Sequence, residues 1–347
     1  MRSLNKTLLI ICEGQNTEPL LFGSIRDKIL ENKFPVVSVN ITIKPEPIDE
    51  SIDEKKSATS FKQVRPKREV NKAIGSEPQE ISGVPPLKWV LAAQEDLREG
   101  TYDEIWVVFD HDDHPARQEA FQRADEEIDG KKINIAFSSR SFEYYLLLNF
   151  EKIYQTFQKT DCKDELRKVI NCGTAKHAND CDGKICINGY AYKNKYWTKS
   201  KSGESIYPLI ENKLEQGFEN SIWLRIQSDI HQGATPIYDR NPYTNVDELM
   251  KRLIGSKWHL LKSGLNLQLG NILLELNGTI CKLVNNSKIS DIVTANSFTV
   301  VSKNKRTYLG QRKFLNPGES YSIDFSTFGI KNIIYCIFKH DNQNVMF

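Results

Sequence analysis

Short apolar runs that alternate with helical segments constrain the fold of this chain more than any other feature. Leu8 to Cys12 is a continuous apolar run with β-branched residues, the pattern of a strand buried on both faces. A predicted helix follows and continues through Ile29, and Val36 to Ile43 then alternates as a second strand. Strand, helix and strand in this order predict the beginning of a parallel α/β sheet.

The alternation continues as far as residue 150. Two further strands and three further helices are predicted at Leu87–Glu99, Ile105–Phe109, Ala116–Ile128, Ile133–Phe137 and Phe142–Phe150. Between them, Pro45 to Pro86 holds six of the thirteen prolines and a single aromatic residue, so it offers little apolar surface to bury. The sequence therefore predicts a four-stranded α/β domain interrupted by a mobile insert or lid.

The remainder of the chain predicts two further parts. At 347 residues the chain exceeds what one compact core usually organises. Residues 1–150 form the predicted α/β domain, residues 151–258 a helical or irregular extension, and residues 259–347 a small all-β domain with short β-rich runs between Asn- and Gly-containing turns. This last part carries a net charge of +5 and the preceding residues sum to −3, so a basic module follows a mildly acidic one.

Composition and the apolar stretches indicate the class of protein. With 39% apolar and 27% charged residues the chain resembles an ordinary globular protein. Its longest apolar stretches fall far short of the ~20 residues that span a bilayer, and no signal peptide is recognisable at the N-terminus. Seven cysteines, an odd number, suit a reducing compartment better than a disulfide framework. We therefore expect a cytoplasmic protein with no membrane association.

Acidic residues follow two of the predicted strands. Glu13 comes directly after the first strand, and Asp110 and Asp112 come directly after the third. Because ligands of parallel sheets bind at the carboxyl ends of the strands, we expect these side chains to converge. Clustered carboxylates repel one another unless a cation is present, and oxygen ligands suit Mg²⁺ or Mn²⁺. A solvated cluster of helix-capping aspartates is the simpler alternative.

Four sequence blocks carry a resemblance to a known family. ICEGQNTE, VVFDHDDHP and SSRSFEYYLLLNF, which begin at Ile11, Val107 and Ser138, resemble the signature blocks of RloB-like proteins, a branch of the Toprim superfamily. The segment Asn241 to Val246 resembles a late block of the same family, and the resemblance covers about residues 5–255. It implies a Toprim-like four-stranded parallel sheet flanked by helices.

The resemblance also implies a chemistry. In the Toprim superfamily a glutamate after the first strand acts as general acid or base, and a D-x-D after the third binds a divalent metal for phosphodiester cleavage. By position, Glu13 is the acid/base candidate, Asp110 and Asp112 are metal ligands, and Asp113 and Glu143 are further candidate ligands. An acidic residue in the first turn of a helix is also favoured by the helix dipole, which explains Glu143 equally well.

These implications lead to three functional hypotheses. The first is a Mg²⁺- or Mn²⁺-dependent nuclease, the effector of a bacterial anti-phage or restriction-associated system. The second is a catalytically silent Toprim-like subunit that binds or senses and recruits an effector. The third is a hydrolase of a small nucleotide or phosphate ester. Some RloB-like proteins are encoded beside an ATPase subunit, and since this chain has no Walker loop, any AAA- or ABC-type ATPase would be a partner. The oligomeric state is left open.

Two weaker clusters of candidate ligands accompany the acidic residues. His111 and His114 lie next to these aspartates in the sequence and could join the metal ligands or shuttle protons, although hydrogen-bonding turn histidines are common. A structural Zn²⁺ site could be formed from Cys162, Cys172, His177, Cys181 and Cys186. The spacings of this set match no paired C-x-x-C knuckle, and unmodified cysteines in a helical segment are the alternative.

Basic residues offer two candidate nucleic-acid contacts. Lys303, Lys305, Arg306, Arg312 and Lys313 cluster around a predicted hairpin of the β domain and could contact phosphate, although a solvated loop would also contain them. A second segment interleaves basic and aromatic residues, as a surface that binds nucleic-acid strands would: Tyr190, Tyr192, Lys193, Tyr196, Trp197, Lys199 and Lys201. Core packing explains these aromatic residues at least as well.

Overall fold

The computed structural model describes most of the chain outside the predicted insert. The described residues are 6–14, 16–31, 39–47, 84–111, 114–160, 184–197, 206–255, 258–261, 264–278, 280–288, 291–294, 298–302, 305–308, 312–324, 333–340 and 343–346. Of the predicted insert at residues 45–86, the segment 48–83 lies outside this set. No helix in the described ranges is both long enough and apolar enough to cross a membrane.

The chain divides into two compact units. The first comprises Met1–Phe137 and Trp197–Leu209, and the second comprises Ser138–Tyr196 and Ile210–Phe347. The predicted domain boundaries near residues 150 and 258 stay predictions.

A five-stranded sheet contains the four predicted strands. Its strands are β1 (Lys6–Cys12), β2 (Val39–Lys44), β3 (Glu104–Asp110), β4 (Asn134–Ser139) and β5 (Tyr243–Thr244). They lie in the order β2-β1-β3-β4-β5, and β1 pairs in parallel with both β2 and β3. The mixed α/β fold class is therefore confirmed.

The prediction of a purely parallel, four-stranded sheet is corrected by β5. This strand pairs antiparallel with the end of β4, where Ser138 lies opposite Thr244 and Ser139 opposite Tyr243. A strand of two residues is too short to show any periodicity, so the sequence pattern could not reveal it.

In the first unit, the interior strand β1 is buried because it is apolar on both faces. From Leu8 to Cys12 every residue of β1 is at most 3% exposed. Three helices belong to this unit: α1 (Thr17–Leu30), α2 (Leu87–Arg98) and α3 (Arg117–Ala124). In α2 the residues Val90, Ala93 and Leu97 are buried, which is the spacing of one helix face. The helix α3 ends four residues before the predicted Ile128.

The described part of residues 140–255 is mainly helical, in agreement with the helix predicted at Phe142–Phe150 and the helical segments predicted beyond it. Its helices are α4 (Phe142–Leu148), α5 (Ile187–Lys193), α6 (Tyr207–Ile210), α7 (Leu214–Gln232) and α8 (Val246–Ile254). The close approach of α7 to the end of α4 requires a glycine, because a Cβ added at Gly217 would overlap the side-chain amide of Asn149. The buried Asn220 side chain of α7 also donates a 2.7 Å hydrogen bond to the Leu148 carbonyl.

A buried charge cluster joins α7 to α8. Arg225 on α7 is 5% exposed, and its guanidinium donates to both carboxylate oxygens of Asp247. It also donates to Glu248 at 2.9 Å and to the carbonyl of Thr244 at 3.1 Å. Burial raises the pKa of Asp247 above its usual value, although the adjacent guanidinium lowers it. The charge of Arg225 therefore compensates a carboxylate that burial would otherwise destabilise.

The C-terminal region consists of β-strands, as predicted. Its strands are β6 (Trp258–Leu260), β7 (Asn266–Leu269), β8 (Ile272–Asn277), β9 (Ile280–Asn285), β10 (Asp291–Thr294), β11 (Phe298–Ser302), β12 (Lys305–Tyr308), β13 (Arg312–Leu315), β14 (Ser320–Asp324), β15 (Ile333–His340) and β16 (Gln343–Met346). They form a five-stranded sheet β12-β11-β15-β16-β6, a four-stranded sheet β14-β9-β8-β7 and the pair β10-β13. Leu274 and Leu283 from the four-stranded sheet and Phe338 from the five-stranded sheet belong to one buried cluster. The two sheets thus share a core, as in a β-sandwich.

Candidate functional site

Glu13 and Asp110 lie side by side at the carboxyl ends of β1 and β3. The backbone amide of Glu13 donates a 2.9 Å hydrogen bond to the Val108 carbonyl, which extends the pairing of the two strands by one residue. Asp110 is the last residue of β3, and its backbone amide donates to Oε2 of Glu13 at 3.3 Å. The order of the strands thus brings together two of the acidic residues that the sequence singles out.

The other oxygen of the Glu13 carboxylate faces a histidine. Nε2 of His114 lies 3.2 Å from Oε1 of Glu13, and the two side chains are 31% and 17% exposed, respectively. The carboxylate is thus held between an amide and an imidazole, at a place that water can still reach. Its orientation is fixed by contacts to both oxygens.

An arginine holds the backbone that follows Asp110. Nη1 of Arg117, in the first turn of α3, donates to the carbonyl of His111 at 3.0 Å and to the carbonyl of His114 at 2.9 Å. The two residues between these carbonyls are the predicted ligands Asp112 and Asp113, which lie outside the described residues. The sequence did not single out Arg117, because a basic residue at the start of an amphipathic helix gives no sign that it bonds backwards to its own loop.

Glu18, at the start of the helix that follows Glu13, is a further acidic residue that the sequence interpretation missed. It lies in the first turn of α1, is only 7% exposed, and a Cβ added at Gly14 would overlap its carboxylate. Burial and the nearby Glu18 carboxylate raise the pKa of the Cys12 thiol well above its usual value. The signal was present, since Glu18 is spaced at i, i+4 and i+7 with Phe22 and Ile25 and so belongs to the buried face of the helix.

The remaining candidate ligand, Glu143, lies in the second unit. It occupies the first turn of α4 and is partly exposed. Its role as a further metal ligand stays a prediction.

The side chains of Glu13 and Asp110 offer carboxylate oxygens, the type of ligand that a hard divalent cation binds. Carboxylate oxygens are the ligands that Mg²⁺ and Mn²⁺ prefer. In the described part of the chain, which omits Asp112 and Asp113, no group of three or more His, Cys, Asp or Glu side chains could hold a metal ion. A site of three carboxylates at this edge therefore depends on an acidic residue of the 112–113 segment.

The predicted zinc set falls almost wholly outside the described residues. Cys162, Cys172, His177 and Cys181 are not among them. Cys186 is fully buried at the residue before α5. Zinc binding by this set stays a prediction.

The basic candidates of the β region lie on two strands of different sheets. Lys305 and Arg306 belong to β12, which forms a hairpin with β11, and Lys303 lies outside the described residues. Arg312 and Lys313 belong to β13, which pairs with β10. The predicted hairpin is present, but it contains only the first part of the basic cluster.

Comparison with known proteins identifies a family. The model of the family described as RloB-like protein matches residues 8–253. No match is found among curated proteins, and none is found among solved structures. The matched range includes Glu13, the strand β3 with Asp110, and the helix α4. Since the match covers more than half of the chain, the protein belongs to the RloB-like family.

Proposed function

We propose that the protein is a Mg²⁺- or Mn²⁺-dependent phosphodiesterase, a nuclease of the Toprim type that acts on nucleic acid. The observation that carries the proposal is the Glu13 carboxylate, held at the ends of β1 and β3 by the Asp110 amide and the His114 imidazole. A general base must be oriented and within reach of its proton, and a carboxylate with both oxygens in contact meets the first of these requirements. Its partial exposure leaves room for a water molecule or a leaving group.

The roles of the residues are proposed from the position of Glu13 and from the family resemblance. Glu13 would accept a proton from the attacking water or donate one to the leaving oxygen, while His114 keeps the carboxylate oriented. Asp110 and Asp112 would hold the cation together with Glu13, and Asp113 is a further candidate. When bound, such a cation stabilises negative charge on a phosphoryl group.

The biological role is proposed on the family resemblance. Some RloB-like proteins are encoded beside an ATPase subunit in restriction or anti-phage loci, and we propose that this protein is the effector of such a system. Since the sequence contains no G-x-x-x-x-G-K-[ST] loop, nucleotide hydrolysis in that system would come from a partner ATPase.

Purified protein tests the activity directly. We expect Mn²⁺ or Mg²⁺ to support cleavage of at least one of single-stranded DNA, duplex DNA, RNA and tRNA, and EDTA to abolish it. Nucleic-acid binding without turnover under every metal condition would instead favour a silent binding subunit. Hydrolysis of nucleotides or simple phosphodiesters, with polynucleotides left intact, would favour the small-molecule hydrolase.

Arg117 is expected to control metal affinity without contacting the metal. Replacing it by Met removes both hydrogen bonds to the backbone that flanks Asp112 and Asp113. We expect Mn²⁺ binding, measured by calorimetry or by electron paramagnetic resonance, to weaken about 10- to 100-fold, which is the usual effect of losing a residue that orients metal ligands. Arg117→Lys keeps a donor near both carbonyls and should recover part of the affinity.

Arg123 provides the matched control for this measurement. It lies on the same helix, and its side chain forms exposed ion pairs with Glu119 and Glu126. Arg123→Met should leave Mn²⁺ affinity unchanged. Equal Mn²⁺ affinity in Arg117→Met and wild type would show that Arg117 does not position the ligands.

A further inference from the structure

Aromatic and basic side chains share one surface of the second unit. The surface is formed in the turn that follows α5, together with residues just after α4 and just before α7. We define the tyrosine–lysine surface by four residues: Phe150, Lys195, Tyr196 and Lys213. Tyr196 and Phe150 are partly exposed, and Lys195 is exposed. Trp197, which follows in the sequence, is by contrast buried.

The ring of Tyr196 is held in place from two directions. It stacks on Phe150 with ring centroids 4.9 Å apart and an angle of 24° between the planes. Its hydroxyl donates a 2.7 Å hydrogen bond to Oε2 of Glu151. A partly exposed ring that is already ordered loses little conformational entropy when a ligand stacks on it.

Two tyrosine hydroxyls hydrogen-bond to Glu151, the acidic residue next to this surface. The hydroxyl of Tyr190 donates to Oε1 of Glu151, so both carboxylate oxygens accept a hydrogen bond from a phenol. Burial and Glu151 raise the pKa of Tyr196 to about 12, and the same two causes raise the pKa of Tyr190. Both phenols therefore stay protonated at neutral pH and remain donors to Glu151.

The segment that carries Tyr196 has a net positive charge. Residues 184–197 contain three lysines and no acidic residue. Nζ of Lys213 lies 3.9 Å from the centroid of Phe150, a cation–π contact. Within the part of the chain that the structure describes, no carboxylate lies at ion-pair distance from Lys195 or Lys213. Their charges are thus available to a ligand that carries negative charge.

We propose that the tyrosine–lysine surface binds single-stranded nucleic acid, with a base on the ring of Tyr196 and phosphates beside the lysines. Single strands expose both the faces of their bases and their phosphates, and proteins that bind them combine aromatic side chains with a basic groove. A duplex hides its base faces, and an acidic peptide would use the lysines but leave the rings without a partner. The inference deepens the proposed function by naming single strands as the substrate class, and it rests on that function only in this respect.

Binding can be tested apart from cleavage. Fluorescence anisotropy with labelled oligo-dT and oligo-rU of about 12 nucleotides, in EDTA and over a range of salt concentrations, would measure affinity for single strands without turnover. A blunt duplex of the same length and a poly-glutamate peptide are the comparison ligands. We expect both single strands to bind more tightly than either.

Two kinds of variant separate stacking from charge. Tyr196→Leu should weaken binding about 10-fold with no change in the salt dependence, whereas Tyr196→Phe, which keeps the ring, should stay near wild type. Lys195→Gly and Lys213→Gln should each reduce the slope of log affinity against log salt by about 0.7. Glycine is the matched replacement at Lys195 because the φ of this residue is 61°, in the region that glycine favours.

Residues elsewhere in the second unit provide the controls. Tyr154 is also partly exposed, with its ring near His231 and its hydroxyl bonded to Gln232, and Tyr154→Leu should not change binding. Lys282→Gln, which removes a lysine paired with Glu275, should not change it either. Circular dichroism confirms that each variant is folded.

The proposal is overturned if folded Tyr196→Leu binds oligo-dT and oligo-rU as tightly as wild type. It is also overturned if the duplex or the peptide binds as tightly as the single strands. If the protein cleaves no nucleic acid but its binding of single strands is weakened by Tyr196→Leu, the proposed binding surface is supported and the proposed hydrolysis is contradicted. The two ideas can therefore fail separately.

Discussion

Glu13→Gln is expected to reduce metal-dependent cleavage of nucleic acid by about 10²- to 10⁴-fold, the usual contribution of a positioned general acid or base. Glutamine has the shape of glutamate and can still accept the hydrogen bond from the Asp110 amide, so the local fold should persist. It cannot, however, take up a proton from water near neutral pH. Initial rates at saturating Mn²⁺, measured on the substrate identified by the activity screen, would test this.

Metal binding by the same variant separates two roles of Glu13. If Glu13→Gln binds Mn²⁺ like wild type but does not cleave, Glu13 acts as the acid or base alone. If it also loses Mn²⁺, the carboxylate is a ligand as well. Glu119→Gln, on the exposed face of α3, is the control and should cleave at the wild-type rate. Undiminished cleavage by both Glu13→Gln and Asp112→Asn would refute the proposed nuclease mechanism.

Arg225→Met is expected to lower the free energy of unfolding by about 3–5 kcal/mol, because it leaves the buried carboxylate of Asp247 without its cation. The variant also removes the donors to Glu248 and to the Thr244 carbonyl, so further polar contacts at the junction of α7, α8 and β5 are lost. Urea denaturation followed by circular dichroism measures the loss. Arg123→Met, which breaks only exposed ion pairs, should cost no more than about 1 kcal/mol.

The pH dependence of the stability difference between Arg225→Met and wild type identifies the cause of the stability loss. Burial already raises the pKa of Asp247 in the folded protein, and loss of Arg225 should raise it further. A carboxyl group whose pKa is higher in the folded state than in the unfolded state destabilises the fold as the pH rises above the unfolded pKa. The gap between Arg225→Met and wild type should therefore narrow as the pH is lowered from about 7 to about 5, by at most about 1.4 kcal/mol per pH unit. A gap that does not change with pH would assign the loss to packing.

The sequence predicts the elements of the α/β region well because their apolar patterns are long and regular. β3 differs from its predicted range by one residue at each end, and α2 by one residue at its end. The position of Glu13 next to Asp110 follows from the same patterns, since it needs only the order of parallel strands. What the pattern could not supply is the short strand β5, whose partner is chosen by the tertiary fold.

Contacts that form only in three dimensions also escape prediction. Arg117 bonds to backbone carbonyls, which leave no trace in residue types. The sequence does not decide whether Tyr190 and Tyr196 belong to the core or to the surface. In the structure their hydroxyls both donate to Glu151. Trp197, the residue after Tyr196, is buried, so this segment of alternating aromatic and basic residues contributes to the core as well as to the surface.

The strand order of the C-terminal five-stranded sheet, β12-β11-β15-β16-β6, has a consequence for how the chain is synthesised. β6, which begins four residues after α8, lies at the edge of this sheet and pairs in parallel with β16, more than eighty residues later in the sequence. A nascent chain therefore cannot complete this sheet until residue 346 has left the ribosome. Until then the β15 edge that β16 covers, which includes the buried Ile337 and Phe338, is open to pairing with other chains. Protection of this sheet from co-translational aggregation thus falls on β16, the last of its strands in chain order.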